Sequence, residues 1–126
     1  MNLNQVTIPS LNVEKATRFY QTLGLQLIVE AFPRYVRFEC PDGDSTLSIH
    51  LVEKLPSKDN RITLYFEDEN LDGLVKNLQS KGITFTNEPE DKRWLWREAH
   101  LYDPDENHII LFHAGKNRKN PPWRIN

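Results

Sequence analysis

Residues 3–8 alternate apolar and polar side chains, the two-residue period of a half-buried strand, and Pro9 closes the run. The period then lengthens. Val13, Ala16, Tyr20 and Leu23 recur at helical spacing between Asn12, a good N-cap, and Gly24, a good terminator. Strand-like runs follow at 25–31, 34–39 and 46–52, with Pro41-Asp42-Gly43-Asp44 as the turn before the last. Polar residues from Pro56 to Asn60 read as a linker, and the pattern begins again. A strand is predicted over 61–67, a helix over 71–81 between Asn70 and Gly82, and strands over 83–86, 94–102 and 108–113. A charged loop lies between the first two of these strands, and the turn Asp103-Pro104-Asp105-Glu106-Asn107 precedes the last.

The second pass copies the first at a constant offset of 58 residues, which carries Asn12 to Asn70 and Gly24 to Gly82. Both halves read β-α-β-β-β. A duplicated module predicts a pseudo-symmetric α+β fold, with a pocket expected between the copies.

Composition narrows the options only a little. A chain of 126 residues suits one domain. Net charge is −2, and four of the sixteen basic residues (Lys116, Arg118, Lys119, Arg124) crowd a C-terminal tail without acids. The rest carries twelve basic against eighteen acidic residues, so it offers no footprint for nucleic acid. No apolar run approaches membrane-spanning length, and no charged-then-apolar leader opens the chain. Cys40 is the single cysteine, so neither an internal disulfide nor a CxxC site is expected. A cytoplasmic protein is the resulting expectation.

Three features together resemble one family: Phe19-Tyr20-Gln21-Thr22-Leu23-Gly24-Leu25 at the first helix end, the turn from Asp103 to Asn107 before an apolar strand, and the paired β-α-β-β-β order. They resemble the vicinal oxygen chelate superfamily of glyoxalase I, bleomycin-resistance proteins, fosfomycin-modifying enzymes and extradiol dioxygenases. The resemblance spans about residues 3–113. It implies a glyoxalase-like α+β fold whose two modules, about 1–54 and 61–114, form a curved mixed sheet around a cavity within one domain (1–114), followed by a basic tail (115–126). It also implies a homodimer.

The family's metal site takes one ligand from the first and last strand of each module. The resemblance puts those positions on Gln5, Ser48, Thr63 (or Arg61, with a small insertion) and Ile110. Ile has no lone pair, Arg stays protonated, and hydroxyls replace carboxylate or imidazole poorly. A metal centre is therefore not expected.

Strand alternation places His50 beside Ser48, and Arg61 and Tyr65 beside Thr63. It places His108 and Phe112 beside Ile110, and puts Trp94, Trp96, Glu98 and His100 on one face. The candidate ligand-binding set is Gln5, Ser48, His50, Arg61, Thr63, Trp96, Glu98, His100 and Ile110, with Glu98 and His100 as candidate catalytic residues. The leading expectation is a small-molecule-binding protein of the bleomycin-resistance type, without cofactor and with neither nucleic acid nor membrane as partner. The alternative is an enzyme, either a lyase or isomerase resembling lactoylglutathione lyase or a dioxygenase-like protein. It would use a displaced divalent metal or acid–base chemistry through Glu98 and His100.

Overall fold

The Oδ1 of Asn12 accepts the Lys15 amide at 3.1 Å, and Asn70 does the same for Gly73 at 3.2 Å, so both expected caps form. A computed structural model describes residues 1–125; Asn126, the end of the basic tail, lies outside the described residues. The elements are β1 (Gln5–Ser10), α1 (Val13–Leu23), β2 (Gln26–Ala31), β3 (Tyr35–Glu39) and β4 (Thr46–Leu51), then β5 (Thr63–Glu67), α2 (Leu71–Ser80), β6 (Glu90–Asp91), β7 (Arg97–Tyr102) and β8 (His108–His113). Short 3-10 turns occupy Lys58–Asn60 and Gly115–Arg118.

The duplication is visible in individual hydrogen bonds. Gly24 N–H donates to Gln21 C=O and Leu25 N–H to Tyr20 C=O; Gly82 to Gln79 and Ile83 to Leu78 repeat both at 3.0 Å. Both glycines take positive φ, 111° and 91°, where a side chain would be strained. The strand orders repeat as well: β1-β4-β3-β2 in one four-stranded sheet and β5-β8-β7-β6 in the other. In each, the two central strands are antiparallel, and the first strand of the module pairs parallel with the last. The fold is thus α+β, with two open mixed sheets.

Two compact units result. The first holds Met1–Arg61 together with Asp103–Glu106. Its sheet buries Ile8, Val36, Phe38, Leu47 and Ile49, and α1 lays Val13, Ala16 and Tyr20 into the same core. Each buried Val, Ile, Leu or Phe among them contributes about 1.5–3 kcal/mol by leaving water. Tyr20 is fully buried, and its hydroxyl donates to Asp103 Oδ2 at 2.6 Å. Asp103 Oδ1 in turn accepts the Asp105 amide at 2.9 Å, and Asp105 Oδ1 accepts the Leu11 amide at 2.9 Å. The acidic turn and the helix-end tyrosine, which carried the family resemblance, thus belong to one buried hydrogen-bond network.

The second unit holds Ile62–Tyr102 and the chain from Asn107 onward. Leu64, Ala99, Leu101, Ile109 and Leu111 form its core with Leu71, Val75 and Leu78 of α2. Arg97 clips α2 to β7, with Nε to Asp72 Oδ1 at 2.8 Å and Nη2 to Oδ2 at 3.0 Å. That pairing holds the Asp72 carboxyl below its ordinary pKa. Among the described residues no helix is long and apolar enough to cross a membrane.

Four expected strand segments need correction. The first strand does not close at Pro9 but runs on through it to Ser10, which pairs with Leu51. Residues 83–86 form no strand, and the two-residue β6 takes the edge instead. Asn87 explains the change: its Oδ1 accepts the His100 amide at 2.9 Å, and its Nδ2 donates to the Glu98 carbonyl at 3.3 Å. That side chain meets β7 where the segment would have run on, beyond the Thr86 amide, which donates to the His100 carbonyl at 2.8 Å. Residues 94–96 form a turn rather than the start of β7, with Leu95 at φ 67°. Arg61 lies outside β5, which begins at Thr63.

Candidate functional site on the helix-free sheet faces

Each sheet has one face under its helix and one face without it. Residues paired directly across strands share a face, so the registers define both. In the first unit the helix-free face carries Gln5 and Thr7 from β1, Thr46, Ser48 and His50 from β4, and Tyr35 and Arg37 from β3. Ser48 is fully buried and shares a 2.7 Å hydrogen bond with the Tyr35 hydroxyl, which also accepts from Arg37 Nε at 3.0 Å. Burial pushes the Tyr35 phenol pKa up, but the Ser48 and Arg37 hydrogen bonds and the Arg37 charge outweigh it, and the net shift is downward. Gln5 is exposed and accepts from the Thr46 hydroxyl at 3.0 Å; His50 is exposed. Tyr35 and Arg37 were missed in the sequence; alternation along 34–39 carries their placement, but nothing in it marks them as partners of Ser48.

In the second unit the same face carries Thr63, Tyr65 and Glu67 from β5, Glu98, His100 and Tyr102 from β7, and His108, Ile110 and Phe112 from β8. It has an aromatic end and a titratable middle. Trp96 stacks on Phe112 with centroids 4.5 Å apart and planes 14° from parallel, and Tyr65 meets both rings edge-on at about 6 Å. The Trp96 indole N–H donates to the Asn117 carbonyl at 3.4 Å, and Glu67 Oε2 accepts the Ala114 and Gly115 amides, which anchors the start of the tail.

Beside the aromatic end, Glu98 is almost fully buried. Its Oε2 accepts the Trp94 indole N–H at 2.6 Å, and its Oε1 lies 2.8 Å from His100 Nε2. His100 Nδ1 lies 3.0 Å from His108 Nε2, and His108 Nδ1 is 3.5 Å from the Thr63 hydroxyl. Tyr102 stacks on the His108 ring at 5.0 Å. Burial first, then the neighbouring His100, lowers the His108 pKa, against a smaller opposing pull from Glu98. A histidine pKa depressed by folding makes the unfolded chain bind protons first. Stability is therefore full above about pH 6.5 and falls as the pH drops below it toward the folded-state pKa. Thermal melts should show an acid-side loss of Tm that is smaller in His108→Gln; identical pH profiles would contradict it.

Of the sequence-predicted residues, Thr63, Trp96, Glu98, His100 and Ile110 converge on this one face. Gln5, Ser48 and His50 share the corresponding face of the first sheet. Arg61 belongs to neither. Its Nη1 donates to the carbonyls of Asp105 and Glu106 at 3.2 Å each, and its Nε to Pro56, so it clamps a turn. Trp94, displaced from the strand, reaches the site through its indole nitrogen.

The registers also give the strand pairing at the metal positions that the resemblance implies. Ser48 pairs with Thr7, and Ile110 pairs with Tyr65, which follows Thr7 by 58 residues, so Ser48 and Ile110 stand at equivalent places in their ladders. Neither the Gln5 amide with the Ser48 hydroxyl in the first unit, nor the Thr63 hydroxyl with the hydrocarbon of Ile110 in the second, is a good donor pair for a divalent cation. Among the described residues, no group of three or more His, Cys, Asp or Glu could hold a metal ion.

Comparison with known proteins fixes the class. The family model described as "Glyoxalase-like domain" matches residues 3–113. The "Uncharacterized protein YraH" of Bacillus subtilis (strain 168) is 27% identical over 127 residues, covering 89% of this chain and 98% of its own. A glyoxalase/bleomycin resistance protein/dioxygenase from Nocardioides superposes with a TM-score of 0.78 at 20% identity, covering 100% of this chain and 90% of that one. A bleomycin-binding protein complexed with bleomycin gives 0.72 at 20% identity, covering 90% and 98%. The chain belongs to the glyoxalase-like domain family, within the vicinal oxygen chelate superfamily.

Proposed function

We propose that this protein binds a flat, largely apolar small molecule on the helix-free face of its second sheet, without a metal ion. The observation that carries this reading is the stacked Trp96–Phe112 pair, edged by Tyr65 and lying beside the polar series Glu98, His100 and His108. Partly exposed aromatic rings next to a few convergent polar groups suit a planar ligand with one or two hydrogen-bonding atoms. The donor chemistry of Gln5, Ser48, Thr63 and Ile110 supports the absence of a metal. The structural neighbour that holds bleomycin lends weight to a binding role.

Tryptophan fluorescence titrated with planar aromatic compounds, bleomycin among them, tests the binding. Ligands should quench the signal, and the quench should be lost in Trp96→Phe. Melts with Ni²⁺, Zn²⁺, Mn²⁺ or Fe²⁺ should leave Tm unchanged. A rise of several degrees that disappears in His50→Ala or His100→Ala would overturn the metal-free reading. We extend the proposal to a cytoplasmic homodimer, which light scattering in solution would check.

A second reading has its own support in the 2.8 Å approach of Glu98 to His100, a carboxylate orienting a general base. Turnover of a lactoylglutathione-lyase substrate that is lost in Glu98→Gln would favour it over simple binding.

A further inference from the structure

The hydrogen bonds around Glu98 have a direction that the residue types dictate. An indole nitrogen is only a donor, so Glu98 Oε2 accepts from Trp94. With Glu98 as a carboxylate, Oε1 also accepts, and His100 must carry its proton on Nε2. The neutral His100 ring then presents Nδ1 as an acceptor, which requires the His108 proton to be on Nε2. That leaves His108 Nδ1 as a lone pair at the open end of the series. The Thr63 hydroxyl satisfies it only at 3.5 Å, the limit of a hydrogen bond. Both histidines are partly exposed, whereas Glu98 is 3% exposed.

Resting on the binding role proposed above, we infer that His108, His100 and Glu98 form a one-way proton relay with the Thr63 hydroxyl at its mouth, and that the site therefore takes a planar weak acid, a phenol or enol, which it binds as the anion. The balance is simple. The ligand O–H breaks and His108 Nδ1 gains the proton; the Nε2 proton of His108 passes to His100 Nδ1, and that of His100 Nε2 to Glu98 Oε1. The ligand keeps the electron pair as an oxyanion. The relay ends with one proton more, both rings in the opposite tautomer, and a neutral carboxyl at its buried end.

Other ionisable groups flank the relay. The other ionisable groups on the face are Tyr65 and Glu67 from β5, Tyr102 from β7 and Glu90 from β6, with Lys92 3.4 Å from Glu90 and with His113 and Arg118 3.8 Å from Glu67. Glu67 and Glu90 thus have cations or a histidine within ion-pair distance, whereas Glu98, 3% exposed, meets His100 of the relay. Stacking of the ligand ring against Trp96 and Tyr65, with Phe112 backing Trp96, would hold the anion next to His108, where the transferred proton enters.

Two measurements on the full chain test this. Nitrogen-15 NMR of the histidine rings at neutral pH should show both His100 and His108 as Nε2–H tautomers; an Nδ1–H tautomer for either would overturn the relay. The second uses 4-nitrophenol, whose phenolate is yellow and whose phenol is colourless. At a pH one unit below the pKa of the free phenol, quenching of Trp96 should be accompanied by the yellow form, raised about tenfold over free solution, with the excess lost in His108→Gln. Quenching without colour would sink the relay and leave the binding face intact. No quenching at all would sink both.

Discussion

Asp103→Ala should lower the stability of the protein by about 2–4 kcal/mol, because it leaves two buried donors without their acceptor. The Tyr20 hydroxyl and the Asp105 amide both point at this carboxylate, at 2.6 and 2.9 Å. Neither is near water: Tyr20 is fully buried and Asp105 nearly so. The whole stability of such a domain is about 5–15 kcal/mol, so the variant loses a large share of it. Tyr20→Phe removes the reciprocal partner, and the double variant should show a coupling of about 1.5–3 kcal/mol. Tyr20 gives the same network a signature in pH. Burial first, then the Asp103 charge and hydrogen bond, raises its phenol pKa well above the ordinary value. The stabilisation is therefore present below about pH 10 and is lost as the pH rises beyond it, since only the unfolded chain ionises readily there. Denaturant titrations at neutral and alkaline pH, with Tyr20→Phe as the flat reference, read both effects. A loss below about 1 kcal/mol in Asp103→Ala would mean that solvent reaches the network.

Trp96→Ala should weaken binding of a planar ligand by about 30-fold or more, the range of an aromatic anchor worth 2 kcal/mol. The ring covers Phe112, which is 3% exposed, and forms the flat wall of the aromatic end. Its removal also withdraws the donor that meets the Asn117 carbonyl, so the tail from Gly115 should exchange amide protons faster. Trp123, 57% exposed, is the matched control, and Trp123→Ala should bind with unchanged affinity. Equilibrium dialysis of a quenching ligand against both variants gives the comparison. Equal affinities for Trp96→Ala and the parent protein would move the binding surface elsewhere.

Much of the fold was written in local patterns. Asn12 with Gly24, and Asn70 with the Lys81-Gly82 end, bracket apolar stripes, and a helix needs only its own residues to satisfy its ladder and caps. The equivalence of Ser48 and Ile110 was legible as well, because a duplicated register repeats with its strands. The segment 83–86 was not. Its alternation records which side chains avoid water, but it does not say how the backbone of His100 will be met: the Thr86 amide takes its carbonyl and the Asn87 side chain its N–H. Trp94 and Arg61 failed for a related reason. Each was assigned a side by strand parity, and parity ends where the strand does. Thr63, Trp96, Glu98, His100 and Ile110 were assigned correctly to one face because they lie within the ladder or directly against it.

The order of apolar and polar residues, with its copy 58 positions later, was enough to determine two βαβββ modules and the residue types at the family's ligand positions. These depend on neighbours along the chain and on side-chain chemistry that no fold can alter. Tertiary structure alone decided that Tyr20 would meet Asp103 and that Trp94 would turn back onto Glu98. It also joined the imidazoles of His100 and His108 into one series. Hydrogen bonds among side chains depend on distances of a few tenths of an ångström, and those are set only when sheets pair and cores pack.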